Sequence, residues 1–241
     1  LKFTREYLCI PVSTGTALFG QEHLENAKNK DLILKLGHRK DKGYKYYVGV
    51  DPAISTDGDY NVIMVLEVDD EKNKSIVHVD RAKNVQFREN IDKLRLIGQV
   101  FEPEVILYET NTFAKAFTQE LRAVSDLNVR DFDTTRRKKQ EIILNLQMNF
   151  ENNKLHLPYG DNNSRKMSQA LLEELSMFSI TQSGKFEGVG AHDDLVMGLA
   201  LANAASQTPT EAFMLLDDMG IFEAPEEPLY GQNASMVGLN F

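Results

Sequence analysis

The chain has 241 residues, 42% of them hydrophobic and 26% charged, with a formal net charge of −9. That composition suits a globular chain with a full core; no apolar run nears the ~18 residues of a membrane span, and the single cysteine, Cys9, excludes an internal disulfide and argues against structural zinc. The negative balance also counts against general attraction to nucleic acid, so such contact has to come from a local basic patch or through metal ions.

Residues 1–40 read as a linker segment with short ordered pieces, among them the turn-rich STGTALFG. The opening LKFTREYLCI has neither a signal-peptide core nor an initiator Met, so a piece of a longer, cytoplasmic protein is expected. YYVGV at 46–50 is a run of β-branched and aromatic residues, as in a strand buried on both faces, and Pro52 ends it. NVIMVLEV at 61–68 and SIVHVDRAKNV at 75–85 are two more strands, joined by a DDEKNK hairpin loop. Ile91, Leu94, Ile97 and Phe101 mark a helix over 88–101, and VILY at 105–108 is a fourth strand ending in Glu109. A helix over 114–124, a strand at 128–132, a helix over 139–152, the short strand KLHLP and a helix over 164–178 follow. A hairpin at 179–189 and an apolar helix, DLVMGLALANAA at 194–205, close the pattern. Residues 209–241 read as an acidic, mobile tail. The order predicts an α/β domain over 41–208: a three-strand antiparallel meander, later strands parallel to the first, and flanking helices.

On this reading Asp51 and Glu109 sit at the C-terminal ends of two strands expected to be parallel neighbours. Both carboxylates then emerge at the sheet edge where α/β proteins place their sites. Asp193 and Asp194 open the apolar helix, which can present one of them to the same edge. Each acid also has a plainer role, as turn former, N-cap or lysine partner. What sets them apart is that all fall at the ends of core elements. Crowded carboxylates repel, and hard divalent cations relieve that repulsion. Two such ions suit phosphodiester cleavage.

Four stretches carry a resemblance: REYLCIPVSTGTALF at 5–19, YYVGVDPA at 46–53, VILYETN at 105–111 and HDDLVMGLALA at 192–202. In this order they resemble the ribonuclease-H-like nuclease domain of the large terminase subunit of tailed bacteriophages. The resemblance implies a ribonuclease-H-like mixed sheet. It also implies an endonuclease that cuts concatemeric double-stranded DNA in the infected host's cytoplasm, using two Mg²⁺ or Mn²⁺ ions. Asp51 would bridge both ions, Glu109 would hold one and Asp193 the other, with Asp194 as the alternative to Asp193. His192 would orient the phosphate, and Asp57 and Asp59 are outer candidates. Implied partners are an ATPase motor domain, a small terminase subunit and a portal. The chain has no GxxxxGK[ST] phosphate loop, so the motor would lie elsewhere, with 1–40 leading from it.

Arg136, Arg137, Lys138 and Lys139 form the densest basic run and are the candidate phosphate contacts, with Arg165, Lys166 and Lys185 behind them. A junction resolvase, a docking module with structural acids and an actin-like nucleotide-binding fold remain open alternatives.

Overall fold

The computed structural model describes residues 17–35, 43–53, 60–110, 114–180, 186–188 and 193–207. His192, Asp57, Asp59, Lys185, the turn of the 179–189 hairpin and the 209–241 tail lie outside them.

Seven strands form one mixed sheet, which runs from edge to edge through residues 28–29, 155–158, 74–82, 61–68, 45–51, 105–110 and 129–133. The meander is β2 (Lys45–Asp51), β3 (Asn61–Val68) and β4 (Lys74–Ala82). β5 (Val105–Thr110) adds parallel to β2, and β6 (Val129–Asp133) parallel to β5. β7 (Leu155–Pro158) adds parallel to β4, and the two-residue β1 (Lys28–Asn29) parallel to β7. Within this sheet β3 alone runs against the rest, as the meander and the crossovers predict. β8 (Phe178–Ile180) and β9 (Phe186–Gly188) pair as the expected hairpin.

Helices cover both faces. α2 (Phe87–Phe101) and α3 (Ala114–Val124) flank one, over a core that includes Val48, Val50, Ile63, Ile106 and Leu121. The other face carries α1 (Gln21–Asn26), α4 (Arg136–Glu151), α5 (Asn162–Met177) and α6 (Asp194–Ala205). β3 alternates its side chains between the two cores, and all eight of its residues are buried.

Three expectations shift. Part of the 1–40 segment belongs to the sheet: Leu18, Phe19, Leu24 and Ala27 are buried in the core, and Phe19 meets Phe150 and Phe178 edge-on at 5.7 and 6.2 Å. Those pieces are too short for a periodic pattern to reveal them. α4 begins at Arg136 instead of Lys139, because the Thr135 side chain accepts a hydrogen bond from the Lys138 N–H. α5 starts at Asn162 instead of residue 164, because Asp161 caps the Ser164 N–H at 2.7 Å.

α6 is the element that the site depends on. It is apolar on every side, and each residue from Asp194 to Asn203 is buried. It lies on β2, where Gly49 admits it. A Cβ on Gly49 would stand 2.2 Å from both the Ala202 nitrogen and the Gly198 carbonyl oxygen. Gly198 in turn leaves room for Val62, whose Cγ1 would be 2.6 Å from an added Cβ. The Gly49 obstruction is backbone, which no rotamer change relieves. Gly49→Ala is therefore expected to cost about 3 kcal/mol, the upper end for overpacking, read from the urea midpoint of unfolding.

Candidate metal centre

Tyr108 on β5 pairs with Val50 on β2 in parallel register. One step further along, Asp51 and Glu109 leave the same edge on the same face, as period-two alternation requires. That face is the α6 face, since Leu107 and Val62 both pack in the core around α6. The two carboxyls share a hydrogen bond. Asp51 as a residue keeps some exposure, but protein surrounds its carboxyl. Burial holds that carboxyl well above the ordinary carboxylate range; the charge of Glu109, their hydrogen bond, and then Asp194 and Asp193 push it further. Without metal the site therefore takes up a proton more readily than an ordinary carboxylate does, and a cation would relieve the same repulsion.

The N-terminus of α6 supplies the other acids. Asp193 occupies the N-cap position, yet its side chain accepts no hydrogen bond from the helix amides. Glu174, reaching across from α5, does the capping: its Oε2 accepts from the N–H of Leu195 at 2.9 Å and of Val196 at 3.4 Å. Its Oε1 accepts from the Arg81 guanidinium at 2.8 Å. Burial pushes the Glu174 carboxyl up to about 7, against the pull of Arg81 and the two amides, with Asp194 pushing upward too. Asp193 and Asp194 are thereby released from capping. Asp194 is 9% exposed, and its Oδ2 accepts from the Tyr60 N–H at 3.2 Å. The Asp193 Oδ2 accepts from the Lys139 Nζ at 2.9 Å.

The structure thus brings Asp51 and Glu109 into contact and sets Asp193 and Asp194 where their charge reaches Asp51. Among the described residues, no group of three or more acidic, histidine or cysteine side chains forms a ready metal cage. Lys139 draws Asp193 aside, and the Tyr60 amide engages one oxygen of Asp194. The donors remain chemically apt: all oxygen, anionic and mutually repelling, the set that magnesium or manganese prefers.

The basic run divides. Lys139 turns into the site, Arg137 pairs back to Glu141 at 2.9 Å, and the Lys138 Nζ lies 5.7 Å from the centre of the Phe132 ring. Arg165 donates to the carbonyl of Tyr159 at 3.0 Å. The sequence reading missed Glu174 and Arg81, whose partners lie far away along the chain. It also missed the buried contacts of Asn90 with Asn61 and the Tyr108 hydroxyl, at 2.9 and 3.4 Å. Burial, and then the charge of Asp51, push the Tyr108 hydroxyl far above its usual range.

Two outcomes follow from this wiring. Glu174→Ala uncaps α6 and strands Arg81, so it should cost about 2 kcal/mol in a urea titration. The pH response has a definite sign: the unfolded chain releases the Asp51 and Glu174 protons at lower pH than the folded chain does. In a chelator, the contribution of these two carboxyls to stability should therefore fall as pH rises from about 4 through 7. Asp51→Asn should shrink that fall, with melting temperature against pH as the measurement.

No protein-family model matches the chain, and no curated protein matches it by sequence. Solved structures do. The large terminase nuclease from thermophilic phage G20c aligns with a TM-score of 0.63 at 21% identity, over 79% of this chain and 99% of that one. The G20c nuclease is also known with bound cobalt, magnesium and zinc. The nuclease domain of the large terminase subunit of bacterial virus Sf6 aligns at TM-score 0.53 and 15% identity, over 80% of this chain and all of that one. The HK97 bacteriophage large terminase aligns at TM-score 0.57 and 12% identity, over 85% of this chain but 47% of that one. The chain has the ribonuclease-H-like fold of the large terminase nuclease domains.

Proposed function

We propose that the chain is the metal-dependent endonuclease of a viral genome-packaging terminase, cutting concatemeric double-stranded DNA by two-metal phosphodiester hydrolysis. One observation carries this reading: two apposed carboxyls at the ends of neighbouring parallel strands, one of them held well above the ordinary carboxylate range by burial and by its neighbour, with two more carboxylates bearing on it from the start of a buried helix. A stable fold gains nothing from that crowding, whereas a cation site requires it. The shared fold with nuclease domains, one of them known with magnesium, supports it.

In this reading Asp51 and Glu109 hold divalent Mg²⁺ or Mn²⁺ with Asp193, and Asp194 is the second choice for the α6 position. Bound ions supply Lewis acidity and an activated water. Held by these residues, the ions would supply the chemistry of phosphodiester hydrolysis, in which water adds at phosphorus, the P–O bond breaks and the leaving oxygen takes up a proton. The chain's share is to place the acids. β2 and β5 set Asp51 and Glu109 one strand spacing apart, and Glu174 spares Asp193 from capping. Lys139 would leave Asp193 as a cation arrives and, in the first turn of α4 beside Arg136, Arg137 and Lys138, would meet backbone phosphate. An ATPase motor domain, a small terminase subunit and a portal are the proposed partners, and the infected host's cytoplasm is the proposed setting.

The test is plasmid nicking in Mn²⁺ or Mg²⁺. Cleavage should appear with metal and stop with chelator. Asp51→Asn should lower it on the order of a hundredfold or more and abolish the Mn²⁺-induced rise in melting temperature. Undiminished cleavage by a folded Asp51→Asn chain would overturn the site. Absence of both cleavage and metal response would return the chain to a docking role.

A further inference from the structure

The paired strands place one more feature in the row of the acids. Asp51 pairs with Val62, and Val62 pairs with Arg81, so these residues and Glu109 form one line across β5, β2, β3 and β4. Directly paired residues share a face; Tyr60, just before β3, packs against the core on that face, and Lys83, just after β4, reaches its ring. Arg81 therefore stands two strand spacings, about 10 Å, from Asp51.

Tyr60 collects the cations there. The Arg81 Cζ lies 4.0 Å from the centre of its ring and the Lys83 Nζ 4.4 Å. The Tyr60 backbone N–H holds Asp194, which ties this cluster to the acids. Arg81 is half spent: one nitrogen meets Glu174, while its Nε is a buried donor with no hydrogen-bond partner among the described residues. Lys83 is exposed, and among the described residues no carboxylate pairs with it. Two cations of the basic run at 136–139 already hold a carboxylate, Lys139 on Asp193 and Arg137 on Glu141. In a chain of net charge −9, Lys83 is an exposed cation beside the row of acids with no carboxylate partner among the described residues.

The geometry points to Lys83, set by Tyr60 and Arg81, as a docking point for the nucleic-acid backbone. It would take a phosphate adjoining the one held at Asp51 and Glu109. This rests on the nuclease reading and adds the path of the strand: from the acid pair, across β3, toward the end of β4. The contact is to phosphate, so it carries affinity without base preference.

The test is fluorescence anisotropy of a labelled 25-base-pair duplex against the full chain. Asp51→Asn is the parent, to prevent cleavage, and the salt concentration is varied. Lys83→Glu should weaken binding about fivefold to tenfold at low salt and reduce the slope of log affinity against log salt by about 0.9, the loss of one phosphate contact. Tyr60→Leu should weaken binding in the same direction. Lys45→Glu, at the opposite end of β2, should leave both measures unchanged. Unchanged affinity and slope in a Lys83→Glu chain with native melting temperature would overturn the docking point, as would no measurable binding by the parent at low salt. The two readings fail separately: no metal-dependent nicking by the native chain defeats the nuclease assignment, while nicking with an unaltered Lys83→Glu salt slope defeats only the docking point.

Discussion

The closeness of α6 to β2 governs the rest of the structure. A helix axis normally stands off a sheet by the thickness of two layers of side chains. Here Gly49 contributes none, and the α6 backbone at Gly198 and Ala202 fills the space. Two strands of the meander, β2 and β3, therefore feel the helix as a single surface, and its first residues arrive at the level of the strand ends.

That placement concentrates negative charge, and the surrounding elements manage it by division of labour. Glu174 satisfies the first amides of α6 from another helix, at the expense of burying its own carboxyl, which Arg81 partly neutralises. Lys139 neutralises Asp193 from α4. Tyr60 holds Asp194 by its backbone and gathers Arg81 and Lys83 by its ring. Four elements thus converge on the head of α6, each supplying what the acids themselves are kept from doing.

Much of this was legible in the sequence where the signal is local. YYVGVD and VILYE announce buried strands ending in an acid, and DLVMGLALANAA is apolar throughout, so the strand order and the approach of α6 follow from few rules. The boundaries at Arg136 and Asn162 were hidden because a single cap, Thr135 or Asp161, outweighs the composition of the turn after it. Glu174 was invisible because nothing in a mid-helix glutamate shows that it will cap a different helix. Arg81 needed the β3–β4 register, and Lys139 read as one of four similar cations until packing turned it inward. Leu18, Phe19 and the two-residue β1 depend on contacts with Phe150, Phe178 and β7, and such partners leave no periodicity.

The complete burial of α6 has a bearing on time as well as place. Its amides from Asp194 to Asn203 have no solvent face from which to fray, so hydrogen exchange along the helix has to await opening of the whole core. Acids carried on a surface loop rearrange within nanoseconds to microseconds, whereas the backbone that carries Asp194 is anchored in a buried helix. The backbone at the head of the helix therefore stays in place as long as the core is folded, while the partly exposed Asp193 side chain can exchange Lys139 for another cation.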